Sequence, residues 1–189
     1  MVSDQITYDV IIVGGGPAGA TAATDLAQKG HAVLLIDREG RTKPCGGAIP
    51  NRAIRDFDLP QSVIKARIGA ARIVAPSGYN VNMEIGDIGY VGMVDREEFD
   101  PFLRDRAEQM GAHRFTGTFK TLDYNPDGTV TCHVSPKAQD VDAKSFRARM
   151  VIGADGANSI VRRAVFGADK NPPYVFAYHE IVESPANYN

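Results

Sequence analysis

Cysteine is scarce in this chain of 189 residues, which has only Cys45 and Cys132, far apart in the sequence. Such scarcity excludes the dense pairing of a small secreted disulfide scaffold and the closely spaced thiols of a zinc site. The four histidines show no metal-binding spacing either, so we predict no metal site. Two separate cysteines are typical of a protein from a reducing, cytoplasmic compartment.

Excess positive charge and long apolar runs are also missing. The 21 basic residues are outnumbered by 23 acidic ones, which leaves no positive field to hold a nucleic-acid backbone. The apolar stretch 10–23 is interrupted by Gly14 to Pro17 and follows acidic rather than basic residues, unlike a signal peptide. No run reaches the roughly 18 to 20 apolar residues of a membrane-spanning helix. We therefore predict a globular chain that does not bind nucleic acid.

Alternating apolar segments predict an α/β fold. Tyr8 to Val13 (YDVIIV) ends in four β-branched residues, and Ala32 to Ile36 (AVLLI) is aliphatic throughout. Neither segment alternates between polar and apolar residues, as in parallel strands covered on both faces. Between them, Ala18 to Lys29 has good helical propensity and is followed by Gly30, a helix stop signal. Strand, helix and strand fit within about 30 residues, the size of one βαβ unit. This order predicts a Rossmann-like domain with a parallel sheet.

Other elements are expected along the rest of the chain. Residues 40–62 are rich in glycine, proline and charge, which we interpret as an irregular segment. Asp95 to Gly111 is the best-marked helix, with Asp95 as N-cap and Glu98 three residues later. The expected apolar face of this helix consists of Phe99, Phe102, Leu103, Ala107 and Met110. Further expected elements are a helix at 159–166 and strands at 68–74, 79–85, 89–94, 113–122, 129–134, 147–152 and 174–182.

A glycine motif directly follows the first predicted strand. Gly14, Gly16 and Gly19 have the spacing G-x-G-x-x-G between a strand and a helix. The first glycine permits a tight turn, the second lets the backbone approach a pyrophosphate, and the third lets helix and strand pack closely. Pro17 and Ala18 lie at the head of the helix, whose free N–H groups and dipole attract an anion, and we predict that both residues contact the cofactor. We predict dinucleotide binding, with a glycine turn that holds no ligand as the alternative.

Asp37, at the end of the second predicted strand, helps to predict which dinucleotide is bound. Its carboxylate is placed to accept hydrogen bonds from an adenosine ribose. It also repels a ribose 2′-phosphate, which argues against NADP at this position, although Arg38 and Arg41 partly offset the charge. FAD and NAD both lack that phosphate, so both remain candidates.

A second glycine-bearing segment indicates, by resemblance to a known superfamily, which of these two cofactors is bound. Gly153 to Ser159 (GADGANS) follows the predicted strand 147–152. Together with GGGPAGA and Asp37, the segment resembles the flavoprotein monooxygenase and geranylgeranyl reductase superfamily, whose cofactor is FAD. Without the first motif, the same residues are typical of an ordinary turn. The residues that the resemblance places near the FAD phosphates are Asp155, Gly156 and Ser159.

The stretch Lys43 to Pro50 (KPCGGAIP) narrows the resemblance. With FDLP at 57–60 and DREEFD at 95–100, it is similar to the chlorophyll and bacteriochlorophyll geranylgeranyl reductases. The resemblance implies reduction of a geranylgeranyl isoprenoid to phytyl, with FAD as cofactor and NADPH as electron donor. It also implies a cytoplasmic protein, with peripheral attachment to a photosynthetic membrane as an alternative. Members of that family are considerably longer, so we interpret the chain as their N-terminal half.

The resemblance assigns a catalytic loop. Reduction of an unactivated alkene needs a hydride and a proton from a positioned acid. Cys45 is the titratable group of the loop that the resemblance places beside the flavin, where Gly46 and Gly47 let the backbone approach the ring. Cys45 is the candidate for substrate positioning or proton delivery, and a packed, small apolar side chain is the alternative.

Two further contacts with FAD are expected from the same resemblance. Arg96 corresponds to an arginine that reaches the FAD phosphates; a solvated surface arginine is the alternative. The backbone near Thr118 and Phe119 is assigned to the adenine edge.

The resemblance also divides the chain into domains and leaves other functions open. Residues 1–62 and 95–170 form a glutathione reductase-like FAD-binding domain; residues 63–94 and 171–189 begin an incomplete β-rich domain on the substrate side. An FAD-dependent aromatic monooxygenase shares both glycine motifs. A non-catalytic module that binds flavin or lipid is the alternative from another class. KPCGGAIP favours the reductase.

Overall fold

The chain divides into two compact units, Met1–Arg41 with Asp100–Tyr174 and Thr42–Phe99 with Val175–Asn189. The boundary expected after residue 62 falls inside the second unit, and a substrate-side domain stays a prediction. A computed structural model describes residues 6–38, 40, 43–137, 142–169, 172–173, 175–178, 180 and 183.

The described residues form ten strands and four α-helices. None of these helices combines the length and the hydropathy needed to cross a bilayer. In chain order the elements are β1 (Thr7–Val13), α1 (Pro17–Gln28), β2 (Val33–Asp37), β3 (Ala48–Pro50), α2 (Asn51–Asp56), β4 (Ala66–Ile68), β5 (Ala70–Val74), β6 (Asn80–Glu84), β7 (Val91–Met93), α3 (Arg96–Gln109), β8 (His113–Tyr124), β9 (Val130–Pro136), β10 (Lys144–Gly153) and α4 (Ile160–Phe166).

The sheet of the first unit combines parallel and antiparallel pairing. β1 lies between β2 and β10 and is parallel to both. β8 pairs in parallel with β2 near its start and antiparallel with β9 further along, and β9 pairs antiparallel with β10. The order β1-β10-β9-β8-β2 therefore closes on itself. The predicted parallel sheet and α/β class are confirmed, and the closure was not predicted.

Burial on both faces of β1 explains why its second half, Val10 to Val13, is entirely aliphatic. Ile11 and Ile12 are both fully buried, and successive side chains of a strand point to opposite faces. Ile11 packs in a cluster with Leu34 and Val134, whereas Ile12 packs in a second cluster with Ala23. Full burial of such a side chain contributes about 1.5–3 kcal/mol to the free energy of unfolding. Strand β1 therefore stabilises both hydrophobic clusters of the unit.

Helix α1, Pro17–Gln28, begins and ends within one residue of the prediction. Gly16 is its N-cap and Pro17 its first residue, a position where the missing N–H of proline costs nothing. At the other end, Gly30 has a φ of 86° and its N–H donates to Ala27 O, while the His31 N–H donates to Leu26 O. This pair of hydrogen bonds is a Schellman motif.

The second unit is more ordered than the sequence predicts. The interpretation of residues 40–62 as irregular is wrong from Ala48 onward, because β3, α2 and a 3-10 turn at Gln61–Val63 lie there. Burial of Ile54 holds the short α2 helix, and such tertiary burial overrides weak local signals. The strands predicted at 68–74 and 79–85 overlap β5 and β6, which pair as an antiparallel hairpin. The strand predicted at 89–94 is found as β7, which pairs with β3 and β4 in a separate sheet.

Helix α3 carries the predicted N-cap. The Asp95 carboxylate accepts the Glu97 N–H at 2.9 Å, which satisfies one of the free donors of the first turn. Phe99, Leu103 and Ala107 are buried as expected. Met110 is 41% exposed, so its assignment to the apolar face is wrong, because the helix ends at Gln109.

The predicted strand at 174–182 is not found in the part that can be checked. Residues 174, 179, 181 and 182 lie outside the described residues. Residues 175–178 and 180 belong to no strand. The strands predicted at 113–122, 129–134 and 147–152 are confirmed as β8, β9 and β10.

Candidate functional site

The two glycine segments touch at one edge of the sheet. β1 and β10 are parallel neighbours with Val13 opposite Gly153, and the Ala154 N–H donates to Val13 O at 2.8 Å. A Cβ placed on Gly14 would lie 2.4 Å from Ala154 O. Ligands of α/β proteins bind outside the carboxyl ends of the parallel strands. The structure thus brings the two predicted motifs together where a ligand is expected.

Close backbone approach requires glycine at two positions of the first motif. Gly14 has a φ of 107°, which favours glycine, and its N–H donates to Ile36 O at 2.8 Å. A Cβ on Gly19 would lie 1.9 Å from Gly14 O. The tight turn and the close helix–strand packing predicted for these glycines are therefore both observed.

The start of α1 is open and has no capping side chain. No side chain of the described residues accepts a hydrogen bond at the Gly16 N-cap, and the first turn of this 12-residue helix has no acidic residue. A Cβ on Gly16 would meet no atom within 4 Å, and Ala18 is exposed. Free N–H groups at a helix N-terminus bind anions. Space and donors for a phosphate group are thus present at this turn.

Asp37 is tied to the same turn. One carboxylate oxygen accepts the Gly15 N–H at 2.8 Å, and the other lies 3.9 Å from Arg104 Nη1. The side chain remains 27% exposed, so it is accessible at the end of β2, where a ribose hydroxyl is expected. Arg38 follows it and is exposed, whereas Arg41 lies outside the described residues.

Asp155 organises the second turn by capping α4. Its carboxylate accepts the Ser159 hydroxyl at 2.5 Å and the N–H groups of Ile160 at 2.6 Å and Val161 at 3.2 Å. Ser159 Oγ in turn accepts the Arg162 N–H at 2.9 Å. Gly156, with a φ of 83° and no atom within 4 Å of an added Cβ, leaves room beside the turn. Asp155 and Ser159 thus shape the segment, and their contact with phosphate stays a prediction.

Removal of the Asp155 carboxylate should destabilise the protein. Asp155→Ala leaves three donors without their acceptor, and we expect the free energy of unfolding to fall by about 1–3 kcal/mol. Urea denaturation measures this loss, with Asp142→Ala as a control at an exposed aspartate. Equal midpoints for the two variants would contradict the capping role.

In the second unit, Cys45 lies in a loop held by Gly47. Gly47 has a φ of 75°, a Cβ there would lie 2.0 Å from Val94 O, and Gly47 O accepts the Val94 N–H at 2.9 Å. Cys45 is exposed, so the alternative of a packed apolar side chain is wrong. A hydrogen bond from the Gly47 backbone, and then the guanidinium of Arg96 and the charge of Lys43, lower the pKa of the Cys45 thiol. Arg96 therefore contacts the thiol in this unit, and its contact with FAD phosphates stays a prediction.

The two cysteines should differ sharply in reactivity. Because the lowered pKa of Cys45 makes thiolate available at a lower pH, its rate of alkylation by iodoacetamide should reach half-maximum below the ordinary value of about 8.5. Burial raises the pKa of Cys132 to about 12, so Cys132 should react only after unfolding.

Substitution of Arg96 tests whether its guanidinium lowers the pKa of the Cys45 thiol. Arg96→Gln removes the cation beside the Cys45 thiol, so its alkylation profile should move to higher pH. Mass spectrometry of the labelled peptides follows both cysteines at once. A Cys45 profile at or above the ordinary value would refute the proposed environment.

Phe119 and Arg104, both in the first unit, make contacts that the sequence does not predict. The Phe119 side chain is buried in the core of the first unit, and its main chain pairs with Val134; a backbone contact with adenine stays a prediction. Arg104 is not among the predicted site residues, yet its Nη1 donates to Gly15 O at 3.1 Å. Helical spacing places Arg104 one turn after Asp100, and both are buried, but this spacing does not indicate the contact of Arg104 with Gly15.

Comparisons with known proteins agree with this geometry. A family model described as FAD binding domain matches residues 7–170. The geranylgeranyl diphosphate reductase of Rhodobacter capsulatus is 50% identical over 185 residues, which are 96% of this chain and 46% of that protein. The chloroplastic geranylgeranyl diphosphate reductase of Arabidopsis thaliana is 38% identical over 187 residues, covering 93% of this chain and 39% of that protein. The chain thus spans less than half the length of these relatives.

A solved structure agrees over much of the chain. A geranylgeranyl bacteriochlorophyll reductase-like protein from Thermoplasma acidophilum matches with a TM-score of 0.72 and 28% identity. The match covers 84% of this chain and 41% of that one. The predicted fold class and the predicted resemblance are confirmed.

The residues of the first unit fit the diphosphate of FAD. The space beside Gly16 would be filled by any larger residue, and the uncapped start of α1 offers N–H donors. Asp37 stands at the end of β2, where its carboxylate favours a ribose hydroxyl over a 2′-phosphate, and the nearly buried Arg104 lies 3.9 Å from it. These features match an adenine dinucleotide with an unmodified ribose.

Proposed function

Because the chain belongs to the FAD-binding domain family, we propose that it is the FAD-binding part of a reductase that saturates the double bonds of a geranylgeranyl chain. The observation that carries the proposal is the meeting of Gly14 with Ala154 at the carboxyl ends of β1 and β10. The identity of 50% to a protein named geranylgeranyl diphosphate reductase supports the substrate class.

Each residue of the site has a proposed role in holding the cofactor. Gly16 and the start of α1 bind the diphosphate, and Asp37 accepts the ribose hydroxyls. Gly156 closes the site from the second turn, which Asp155 keeps in place. Bound FAD would supply the hydride chemistry, with NADPH as the source of the two electrons and the alkene as their acceptor. Per double bond, one NADPH and one proton are consumed, one NADP⁺ is released, and two C–H bonds form.

Cys45 is proposed to supply the proton. The Gly47 N–H and the Arg96 guanidinium stabilise its thiolate, which makes the thiol a stronger acid than an ordinary cysteine. Because the side chain is exposed, solvent can return the proton to Sγ after each transfer. General acids of this kind work best when their pKa lies near the working pH.

The product of this reaction is a phytyl-type chain, which places the protein in chlorophyll or bacteriochlorophyll synthesis. A long isoprenoid is itself apolar, so we propose that the protein works in the cytoplasm at the surface of the photosynthetic membrane. Peripheral attachment requires no spanning helix.

The test uses the full-length protein with FAD, NADPH and geranylgeranyl diphosphate. We expect NADPH oxidation without oxygen and products that gain two hydrogen atoms for each bond reduced. In Cys45→Ala, turnover or the distribution of partly reduced products should change. Oxygen-dependent NADPH consumption with a hydroxylated aromatic product would favour a monooxygenase. Bound FAD that NADPH never reduces would favour a binding module.

A further inference from the structure

We propose that Arg104 is a positioning residue for the FAD diphosphate: it fixes the direction of the Gly16 N–H through the Gly15 carbonyl and balances the charge of Asp37. The proposal rests on the FAD binding proposed above and adds to that site a residue from a different element, helix α3.

Arg104 and Asp37 together hold both polar groups of Gly15. Arg104 Nη1 donates to Gly15 O at 3.1 Å, and Asp37 Oδ2 accepts the Gly15 N–H at 2.8 Å. A Cβ on Gly15 would lie 2.8 Å from Arg104 Cδ and from Asp37 Cγ, so only glycine fits between the two side chains. Three consecutive glycines have little conformational preference of their own, and these contacts therefore define the turn.

The hold on the Gly15 carbonyl determines where the next N–H points. In a planar trans peptide, the C=O of one residue and the N–H of the next point in opposite directions. Because Gly15 O points to Arg104, the Gly16 N–H points away from it, on the side of the peptide opposite to the buried arginine. If this peptide turned over, a carbonyl oxygen would take the place of the N–H donor and would repel a phosphate.

The positive charge of Arg104 also favours binding of the diphosphate. Only 9% of the residue is exposed, and its Nε–H has no hydrogen-bond acceptor among the described residues. A buried and incompletely satisfied cation is costly for folding, which favours a role other than stability. The Asp37 carboxylate lies 3.9 Å away and would by itself repel the negative diphosphate. Arg104 offsets that repulsion at the turn.

Binding of FAD and of ADP to the purified chain tests the proposal. Loss of a hydrogen bond from a charged group predicts about 10- to 100-fold weaker binding of both ligands in Arg104→Met. Arg104→Lys retains the charge and should recover part of that loss. Asp37→Asn should weaken binding in the native background, yet improve it in the Arg104→Met background, because it removes a negative charge that Arg104 no longer balances. A purely structural arginine would give no such reversal.

Arg106→Met is the matched control on the same helix, where the guanidinium lies over the Phe102 ring rather than at the glycine turn. It should bind FAD as the native chain does. If Arg104→Met does not fold, Arg104→Lys still decides: binding equal to the native chain would overturn the proposal. Native affinity in a folded Arg104→Met would do the same. A native chain that binds neither FAD nor ADP would overturn the proposed function and this inference together.

Discussion

Gly19→Ala is expected to destabilise the protein by about 3 kcal/mol or more. The new Cβ would lie 1.9 Å from Gly14 O, an atom of the main chain that cannot rotate away as a side chain would. Gly14 is itself fixed by its N–H bond to Ile36 O. The helix would have to move off the sheet, which exposes the core around Ala23. Urea denaturation followed by circular dichroism measures the loss.

Gly16→Ala is the matched control for this substitution. The φ of Gly16 is −73°, which any residue adopts, and a Cβ there meets no atom within 4 Å. Its stability should stay within about 0.5 kcal/mol of the native chain. Equal stability of the Gly19→Ala and Gly16→Ala variants would show that the close packing of α1 on the first turn is not required.

Gly16→Val is expected to abolish cofactor binding while the fold is retained. The branched side chain fits the extended backbone of Gly16, so the thermal unfolding midpoint should be unchanged. The same side chain occupies the open space where the backbone must approach the pyrophosphate. We expect the Kd for FAD to rise about 100-fold or more, equivalent to roughly 2.7 kcal/mol.

Flavin fluorescence during titration measures this affinity. Gly16→Ala should give an intermediate Kd, because its side chain fills less of the same space. Native affinity in Gly16→Val would mean that the diphosphate does not approach this turn, and the site would have to be sought elsewhere.

Local signals explain why the first unit could be predicted from the sequence. Val10 to Val13 reads as a doubly buried strand because all four positions are aliphatic, and Ile11 and Ile12 are indeed buried on opposite sides. The turn and helix that follow depend on glycine and proline, whose backbone preferences are intrinsic. The first glycine motif, Asp37 and the end of α1 at Gly30 were predictable for that reason.

Contacts between distant segments explain what could not be predicted. The sequence predicts that Asp155 lies near the FAD phosphates. In the structure its carboxylate accepts the Ile160 N–H at the start of α4, a contact that depends on how the loop folds back. Arg104 reaches Gly15 across 89 positions of sequence. The environment of Cys45 likewise depends on Arg96, which the pairing of β3 with β7 brings near it. No periodicity of a single sequence encodes these pairings.

Titration of the glycine-labelled chain with ADP tests the central claim most directly, because ADP carries the diphosphate without the flavin ring. In ¹⁵N–¹H spectra, the resonances of Gly16 and Gly156 should shift along one binding curve with a single Kd, since both turns border the same diphosphate. Movement of one glycine alone, or two curves with different Kd values, would contradict a shared site.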